Sequence, residues 1–212
     1  MLHLTRHTGF GGGAAFGAVF RAAQSYAAAS TSQVIDLTGA REGDLAVVCA
    51  SIVTALAGPA GWTEVVRYAW TGISYTAAVY SRVLDAADIA AGSVTFTNAA
   101  SGGHWCIAIY SGPTLATHKT STESNTTSLS CTGFTKSGLC RAVVAWVADS
   151  DINDSFTIPG NMVQRATRGS PGNFGSKLCD IINPSDYTNG SALAFTGFVA
   201  GSPQMGLLIE LT

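Results

Sequence analysis

GDLAVVCASI (Gly43 to Ile52) is the first of four short apolar segments that decide the fold class. TAAVYSRVL (Thr76 to Leu84), VTFTN (Val94 to Asn98) and HWCIAIY (His104 to Tyr110) follow it, separated by stretches rich in Gly, Pro, Ser, Thr, Asn and Asp. Segments of this length, rich in β-branched and aromatic residues and bounded by turn residues, are typical of strands. The sequence therefore predicts an all-β fold, an antiparallel β-sandwich.

The second half of the chain repeats the pattern of the first. GLCRAVVAWVAD corresponds to GDLAVVCASI, and MGLLIEL corresponds to WCIAIYS. Matching residues lie 99 or 100 positions apart, as Pro59 and Pro159 do. Two four-stranded halves, about 43–112 and 138–212, would bury their apolar faces against each other. This pattern predicts one sandwich domain, residues 31–212, with a jelly-roll-like architecture.

The composition limits the partners that the chain can have. Charged residues make up 11% of the chain and hydrophobic residues 47%, so the surface must be covered largely by Ser, Thr, Asn and Gly. A surface of this kind is typical of a protein that meets other protein, although a neutral polar surface alone also produces it. There are 11 basic and 13 acidic residues, with no basic cluster that would attract nucleic acid. Since no apolar stretch approaches the roughly 20 residues of a membrane helix, we expect neither nucleic-acid binding nor membrane insertion.

The first 30 residues form a Gly/Ala-rich segment with no sustained period of 2 or 3.6. Phe10, Phe16 and Phe20 are spaced along it. A Gly-rich chain loses much conformational entropy on ordering and gains little burial by itself. We therefore expect residues 1–30 to be an anchoring arm that docks on a neighbouring subunit through these three side chains. A flap folded over its own domain is the alternative.

Candidate catalytic and metal-binding residues are few. His3 and His7 are four positions apart, but their Gly-rich context disfavours a helix and supplies no further ligand. His104 and His118 are expected at the surface. No GxSxG elbow is present, and no cysteine lies in a protease-like context. The sequence therefore predicts no catalytic residue, no cofactor and no metal site, and the chain is not expected to be an enzyme.

The five cysteines are expected to be reduced thiols. Their number is odd, and no two of them have the CxxC spacing of a metal or redox site. Cys49, Cys106 and Cys179 lie in predicted strands, where a free thiol behaves as a small buried hydrophobic group.

Three acidic residues, Asp149, Asp151 and Asp154, cluster in the sequence DSDINDS. Oxygen-rich loops of this kind can bind calcium, but the spacing does not match an EF-hand, and the loop lacks its glycine and final glutamate. A solvated hairpin tip is the favoured interpretation.

Four aromatic residues lie next to polar turn residues, in the surroundings typical of an exposed contact surface. Aromatic rings beside Asn and Asp can stack on sugars, and Tyr and Trp are equally common at protein interfaces. We therefore predict a glycan or protein contact surface, with the protein interface favoured. The residues concerned are Tyr68, Trp70, Tyr75 and Tyr187.

The order of the short motifs is similar to that of a family of bacteriophage-associated sandwich proteins. GDLAVV, GPAGWT, AAVYSRVLDAAD, VTFT and IAIYSG follow one another as the corresponding motifs do in that family. The similarity covers about Gly43 to Gly112 well and the second half more loosely. Members are virion or prophage components, commonly tail-fibre, tail-tip or head-appendage modules. The resemblance therefore implies a structural and adhesive role, and no catalytic residues are carried over.

These observations together predict a structural protein of a tailed-phage virion, made in the host cytoplasm and displayed on the tail or head exterior. Its expected partners are other virion proteins and copies of itself, with a host surface glycan as a further partner if it aids attachment. A capsid decoration or cement protein is one alternative. A carbohydrate-binding module is the other.

Overall fold

The described residues lie mainly in antiparallel strands, as the all-β prediction requires. Its structure is a computed structural model, and the predicted segments GDLAVVCASI, TAAVYSRVL, VTFTN and HWCIAIY each contain a strand. No helix among the described residues is long and apolar enough to cross a membrane. The structure describes residues 18–28, 32–52, 56–70, 76–98, 103–123, 127–149, 155–169, 175–201 and 203–212.

Each half of the chain contributes a similar series of elements. The first half contains β1 (Val19–Ala28), β2 (Ser32–Asp36), β3 (Leu45–Ile52), β4 (Leu56–Ala57), β5 (Thr63–Ala69), β6 (Thr76–Val83), α1 (Ala86–Ala91), β7 (Ser93–Asn98) and β8 (Gly103–Ser111). The second half contains β9 (Leu115–Glu123), β10 (Ser128–Cys131), β11 (Ala142–Asp149), β12 (Val163–Gly169), β13 (Gly175–Ile181), a 3-10 turn (Pro184–Asp186), β14 (Leu193–Thr196) and β15 (Gln204–Leu211).

The strands of the described residues form four sheets, two large and two small. The first central sheet has the order β1-β8-β3-β6-β5, and the second has the order β9-β15-β11-β13-β12. Each is accompanied by a small outer sheet, β2-β7-β4 in the first half and β10-β14 in the second. Every pairing among these strands is antiparallel.

Three apolar cores separate the four sheets. The two central sheets face each other across the middle core, where Val47 and Cys49 of β3 share a cluster with Val144 and Trp146 of β11. A second core lies between the first central sheet and its outer sheet, around Phe96. The third lies on the far side of the second central sheet. The sequence predicts two layers of four strands each. The described structure instead has two central sheets of five strands, and each of these is covered on its other face by a smaller outer sheet.

The two central sheets have the same strand order when each half is numbered from its first strand and the two-residue strand β4, which has no counterpart among the described strands of the second half, is left out. Irregularities also recur at their margins. A register shift lies beside Arg21 on β1, beside Val65 on β5 and beside Arg165 on β12, and another lies where β9 meets the end of β15. The finer expectations, an internal repeat and a jelly-roll connectivity, remain predictions.

The predicted boundary between arm and sandwich is wrong, since β1 belongs to the sandwich. It pairs with β8 from Val19 opposite Ser111 to Ala28 opposite Gly103. Ala18, just before it, is already buried in the middle core. These backbone hydrogen bonds supply the stabilisation that the composition of residues 1–30 alone did not indicate. The sandwich therefore includes residues 18–28, which the prediction assigned to the arm.

Candidate functional site

The predicted anchor Phe20 contacts its own domain. Its ring packs edge-on against Tyr110, with 6.1 Å between the centroids, and the Arg165 guanidinium carbon lies 4.0 Å from its centroid. Phe20 is therefore part of the sandwich. Phe10 and Phe16 lie outside the described residues.

The predicted aromatic contact surface is largely buried. Trp70 is 5% exposed and Tyr187 is 1% exposed, so the expectation that both lie at the surface is wrong. The Tyr187 hydroxyl accepts a hydrogen bond from the Phe134 amide and donates to backbone carbonyl oxygen. Tyr68 is half-buried and packs edge-on against Trp70, while Tyr75 lies outside the described residues. These buried rings cannot stack on a sugar.

The histidines divide between buried and exposed positions. His104, expected at the surface, is 6% exposed on β8. Burial, assisted by the charge of Arg168, lowers the pKa of His104 to about 4, so its imidazole is neutral at pH 7. His118 is exposed on β9, as predicted. His3 and His7 lie outside the described residues.

All five cysteines are free and buried in the structure. Burial raises the pKa of Cys106, Cys131 and Cys179 to about 12. Since the thiolate is the nucleophilic form, these side chains are held in their unreactive state.

The acidic cluster is only partly described. Asp149 is fully buried at the end of β11, so the expected solvated hairpin tip does not include it. Asp151 and Asp154 lie outside the described residues. Among the described residues, no group of three His, Cys, Asp or Glu side chains could hold a metal ion.

Buried carboxylates tie neighbouring segments together. Asp44 lies 2.6 Å from the Arg21 guanidinium, which joins the turn before β3 to β1. Glu210 accepts a hydrogen bond from the Ser137 amide at 2.6 Å. A carboxylate taken out of water requires partners of this kind, so the bonds serve the fold.

An open cleft of about 560 Å³ lies between β5 and β9, the edge strands of the two central sheets. Its apolar lining comes from both halves of the chain, with Leu45 and Val65 on one side and Leu115 on the other. Its polar lining is formed by Thr63, Glu64, Ser81, Arg82, Asp85 and His118. The volume lies in the range of about 300–1,000 Å³ that is typical of ligand sites.

Ion pairs fix the polar rim of this cleft. Arg67 donates to both carboxylate oxygens of Glu64, at 3.1 and 2.6 Å, and lowers the pKa of that carboxyl. Arg82 bonds Asp88 at 2.6 Å and Asp85 at 2.9 Å, and Asp88 chiefly raises the pKa of the guanidinium. The rim is therefore built from charged groups that stay ionised at neutral pH.

The opposite margin of the stacked central sheets is closed, where β1 packs on β12. Phe20 and Arg165 meet there, and Arg165 Nε bonds both carboxylate oxygens of Asp180 at 2.9 Å. The Tyr110 hydroxyl donates to Asp180 at 3.0 Å. Burial raises the pKa of Asp180, while Arg165 and Tyr110 act in the opposite direction. These four side chains, Phe20, Tyr110, Arg165 and Asp180, are called the plug.

Strand order and register show which residues occupy the corresponding positions at the open margin. Leu115 pairs with Leu211 next to a register shift, as Phe20 pairs with Tyr110. Val65 lies at the register shift of β5, and Arg165 lies at the register shift of β12. Ser81 pairs with Thr63 of β5, and Asp180 pairs with Val163 of β12 in the same way. The plug therefore corresponds to Leu115, Leu211, Val65 and Ser81. These smaller side chains leave the cleft open.

No local sequence motif marks the residues that line this cleft. The available signal was the offset of 100 positions, which aligns Val65 with Arg165 and shows an apolar residue where the other half has a cation. No protein-family model, no curated protein and no solved structure matches the chain.

Proposed function

We propose that the chain is a structural protein of a tailed-phage virion, a β-sandwich module on the exterior of the tail or head that contributes to host attachment. The motif order from Gly43 to Gly112 supports the phage assignment. The observation that carries a structural role is the stack of four sheets, whose buried carboxylates Asp44, Asp180 and Glu210 brace strands and turns. Polar groups used in this way hold strands and turns of the sandwich together.

The low charge of the chain supports a surface that contacts other protein. Charged residues make up 11% of the sequence, and protein interfaces are depleted in charge at their centres. Other virion proteins and further copies of this chain are the partners in this proposal. A host surface glycan is the attachment partner, although Trp70 and Tyr187 are too buried to bind it.

An internal repeat is part of the same proposal. The matching strand orders of the central sheets and the matching shifts at Val65 and Arg165 support it. Superposing the strands of residues 18–111 on those of 115–211 in a crystal structure should give a common path. Strands that diverge after the first pair would argue against the repeat.

The experiment that tests the function is quantification of the chain in purified particles. Particles banded by density should contain the chain, and immunogold labelling should place it on the tail or head exterior. A few copies at three-, five- or sixfold symmetry indicate a tail appendage, and hundreds indicate the alternative of a decoration or cement protein. Absence from banded particles would contradict the proposal.

The attachment component needs a separate measurement. Purified protein should bind host cells and compete with particle adsorption, and binding to an immobilised host glycan would identify the receptor class. No binding to cells or glycans would remove attachment and leave the structural role. Glycan binding by a chain that is absent from particles would favour the alternative of a carbohydrate-binding module.

A further inference from the structure

The hydroxyl group of Ser81 is the least satisfied buried group in the cleft between β5 and β9. Ser81 is 8% exposed and lines the cleft, and its side chain forms no hydrogen bond to another described residue. Its counterpart at the closed margin, Asp180, is bonded by both Arg165 and Tyr110. At the open margin, apolar side chains take the positions of these two partners. Because buried polar groups are nearly always hydrogen-bonded, the cleft is suited to an occupant that brings a hydrogen-bonding group to Ser81.

The ionised groups at the rim already have partners within the chain. Both carboxylate oxygens of Glu64 accept hydrogen bonds from Arg67. The two oxygens of Asp85 accept from the Asp88 amide and from Arg82, each at 2.9 Å. Arg82 also bonds the Asp88 carboxylate at 2.6 Å.

This pairing disfavours a charged ligand. An anion would meet the carboxylates of Glu64, Asp85 and Asp88 and find both neighbouring guanidinium groups engaged. A cation would have to displace an arginine from one of the same carboxylates. Electrostatic complementarity therefore favours a neutral ligand.

The remaining lining combines hydrogen-bonding groups with an apolar strip. Leu45, Val65 and Leu115 provide the apolar surface. Thr63 adds a second hydroxyl group from β5, and the exposed imidazole of His118 lies on β9. Hydroxyl groups both donate and accept, so they suit a ligand that is itself rich in hydroxyl groups. A sugar ring has this chemistry, with hydroxyl groups around its edge and apolar C–H groups on its faces.

We infer that the cleft binds a neutral saccharide. The Ser81 hydroxyl bonds one of its hydroxyl groups, and one face of its ring lies on Val65 and Leu115. This inference rests on the proposed attachment to a host surface glycan, for which it names the site and the chemical class. It also places the site away from Trp70 and Tyr187, which are too buried to contact a sugar.

Variants of the cleft in the full-length chain test the inference. On an array of neutral and acidic glycans, the unmodified chain should bind neutral glycans. The best-bound neutral glycan is then titrated by calorimetry. Leu115→Phe places a ring in the cleft, as Phe20 does at the closed margin, and should weaken binding roughly tenfold or more. Ser81→Ala removes one hydrogen bond and should weaken binding about fivefold.

Two matched variants serve as controls. Val34→Phe adds a ring on the exposed face of the outer sheet, and Ser130→Ala removes an exposed hydroxyl group from β10. Both should bind the glycan as the unmodified chain does. Unchanged circular dichroism and Tm would show that each variant is folded.

A readout on the unmodified chain covers the case in which a cleft variant does not fold. Added glycan should shift the NMR signals of the His118 ring, assigned with His118→Gln. The signals of His104, which is buried outside the cleft lining, should stay in place.

Several results would overturn the inference. They are an array without binding, binding of acidic glycans only, unchanged affinity of both folded cleft variants, or a His118 ring that does not respond. Tenfold tighter binding by Phe16→Ser would also overturn it, because residues 1–17 would then be the occupant of the cleft.

Failure of the inference and failure of the proposed function are distinguishable. A chain that is present in particles and binds host cells equally well with both cleft substitutions would leave the proposed function standing without this site. A chain that binds a neutral glycan in the cleft but is absent from particles would contradict the proposed function alone.

Discussion

Among the residues at the closed margin, we expect substitution of Arg165 to lower the free energy of unfolding most. Its guanidinium is the cation beside the fully buried carboxylate of Asp180. Removing one partner leaves an uncompensated buried charge, at a cost of about 3–5 kcal/mol. We therefore expect Arg165→Met to lower the free energy of unfolding by about that amount in urea titrations.

An exposed cation provides the control for Arg165. Lys119 is exposed on the edge strand β9, and Lys119→Met should change the free energy of unfolding by no more than about 0.5 kcal/mol. Equal effects of the two substitutions would show that the pair with Asp180 adds nothing to stability.

His104 should make the protein sensitive to acid. The unfolded chain protonates this imidazole near pH 6.5, whereas the folded protein keeps it neutral down to about pH 4. Proton uptake thus favours the unfolded state as the pH falls through this window, and stability is lost there. Between pH 7 and pH 4.5, we expect the Tm of the unmodified protein to fall about 3–6 °C more than that of His104→Gln.

The comparison of the two Tm profiles isolates the contribution of His104 from that of the carboxylates, which both proteins share. Arg168 supplies the second cause of the low pKa, so Arg168→Gln should reduce the acid sensitivity in the same direction but by less. Parallel profiles for the unmodified protein and His104→Gln would contradict the assigned pKa.

At the scale of elements, β15 and β10 approach each other more closely than a side chain allows. A Cβ atom on Gly206 would lie 2.2 Å from Cys131 Sγ and 2.9 Å from a methyl carbon of Leu129. Overpacking of this kind costs about 1–3 kcal/mol. Gly206→Ala should therefore lower the free energy of unfolding by that amount, measured by urea titration. Gly138→Ala, where no atom lies within 4 Å of the added carbon, should cost less than about 0.5 kcal/mol.

Individual elements also show what the sequence could and could not predict. The apolar runs of β3, β6 and β8 are visible locally, because each is buried on both faces and bounded by turn residues. β1 was missed, since its Ala-rich sequence has weak strand propensity and its partner β8 lies about 80 residues later. The burial of Tyr187 is not predictable locally, because the backbone partner of its hydroxyl, at Phe134, lies 53 positions away.

The candidate cleft required the same long-range information. No local pattern marks Val65 or Leu115 as an opening, because both are ordinary apolar strand residues. Only the register of both edge strands shows that Leu115 and Val65 take the positions that Phe20 and Arg165 have at the closed margin. Aligning the sequences of the two halves shows part of this difference, because Val65 aligns with Arg165.

At the scale of the whole molecule, the middle core should make the two halves unfold together. Trp146 of the second half is fully buried in the same cluster as Val47 and Cys106 of the first. Trp146→Ala should cost about 3–5 kcal/mol and move a single transition, with fluorescence and near-UV circular dichroism giving the same midpoint. Two separate transitions, with only the second-half one shifted, would mean that the halves are independent.

The shifted registers at all four margins of the central sheets have a further consequence. A straight, unpaired border strand is a template on which sister molecules add laterally, and many proteins repel them with lysines placed along it. Charged residues make up only 11% of this chain, although exposed Lys119 does lie on the edge strand β9. The edge strands carry register shifts instead, beside Arg21, Val65 and Arg165 and where β9 meets the end of β15. These shifts interrupt the flat edge on which another strand would pair. We therefore expect the shape of the backbone at these edge strands to hinder fibril growth.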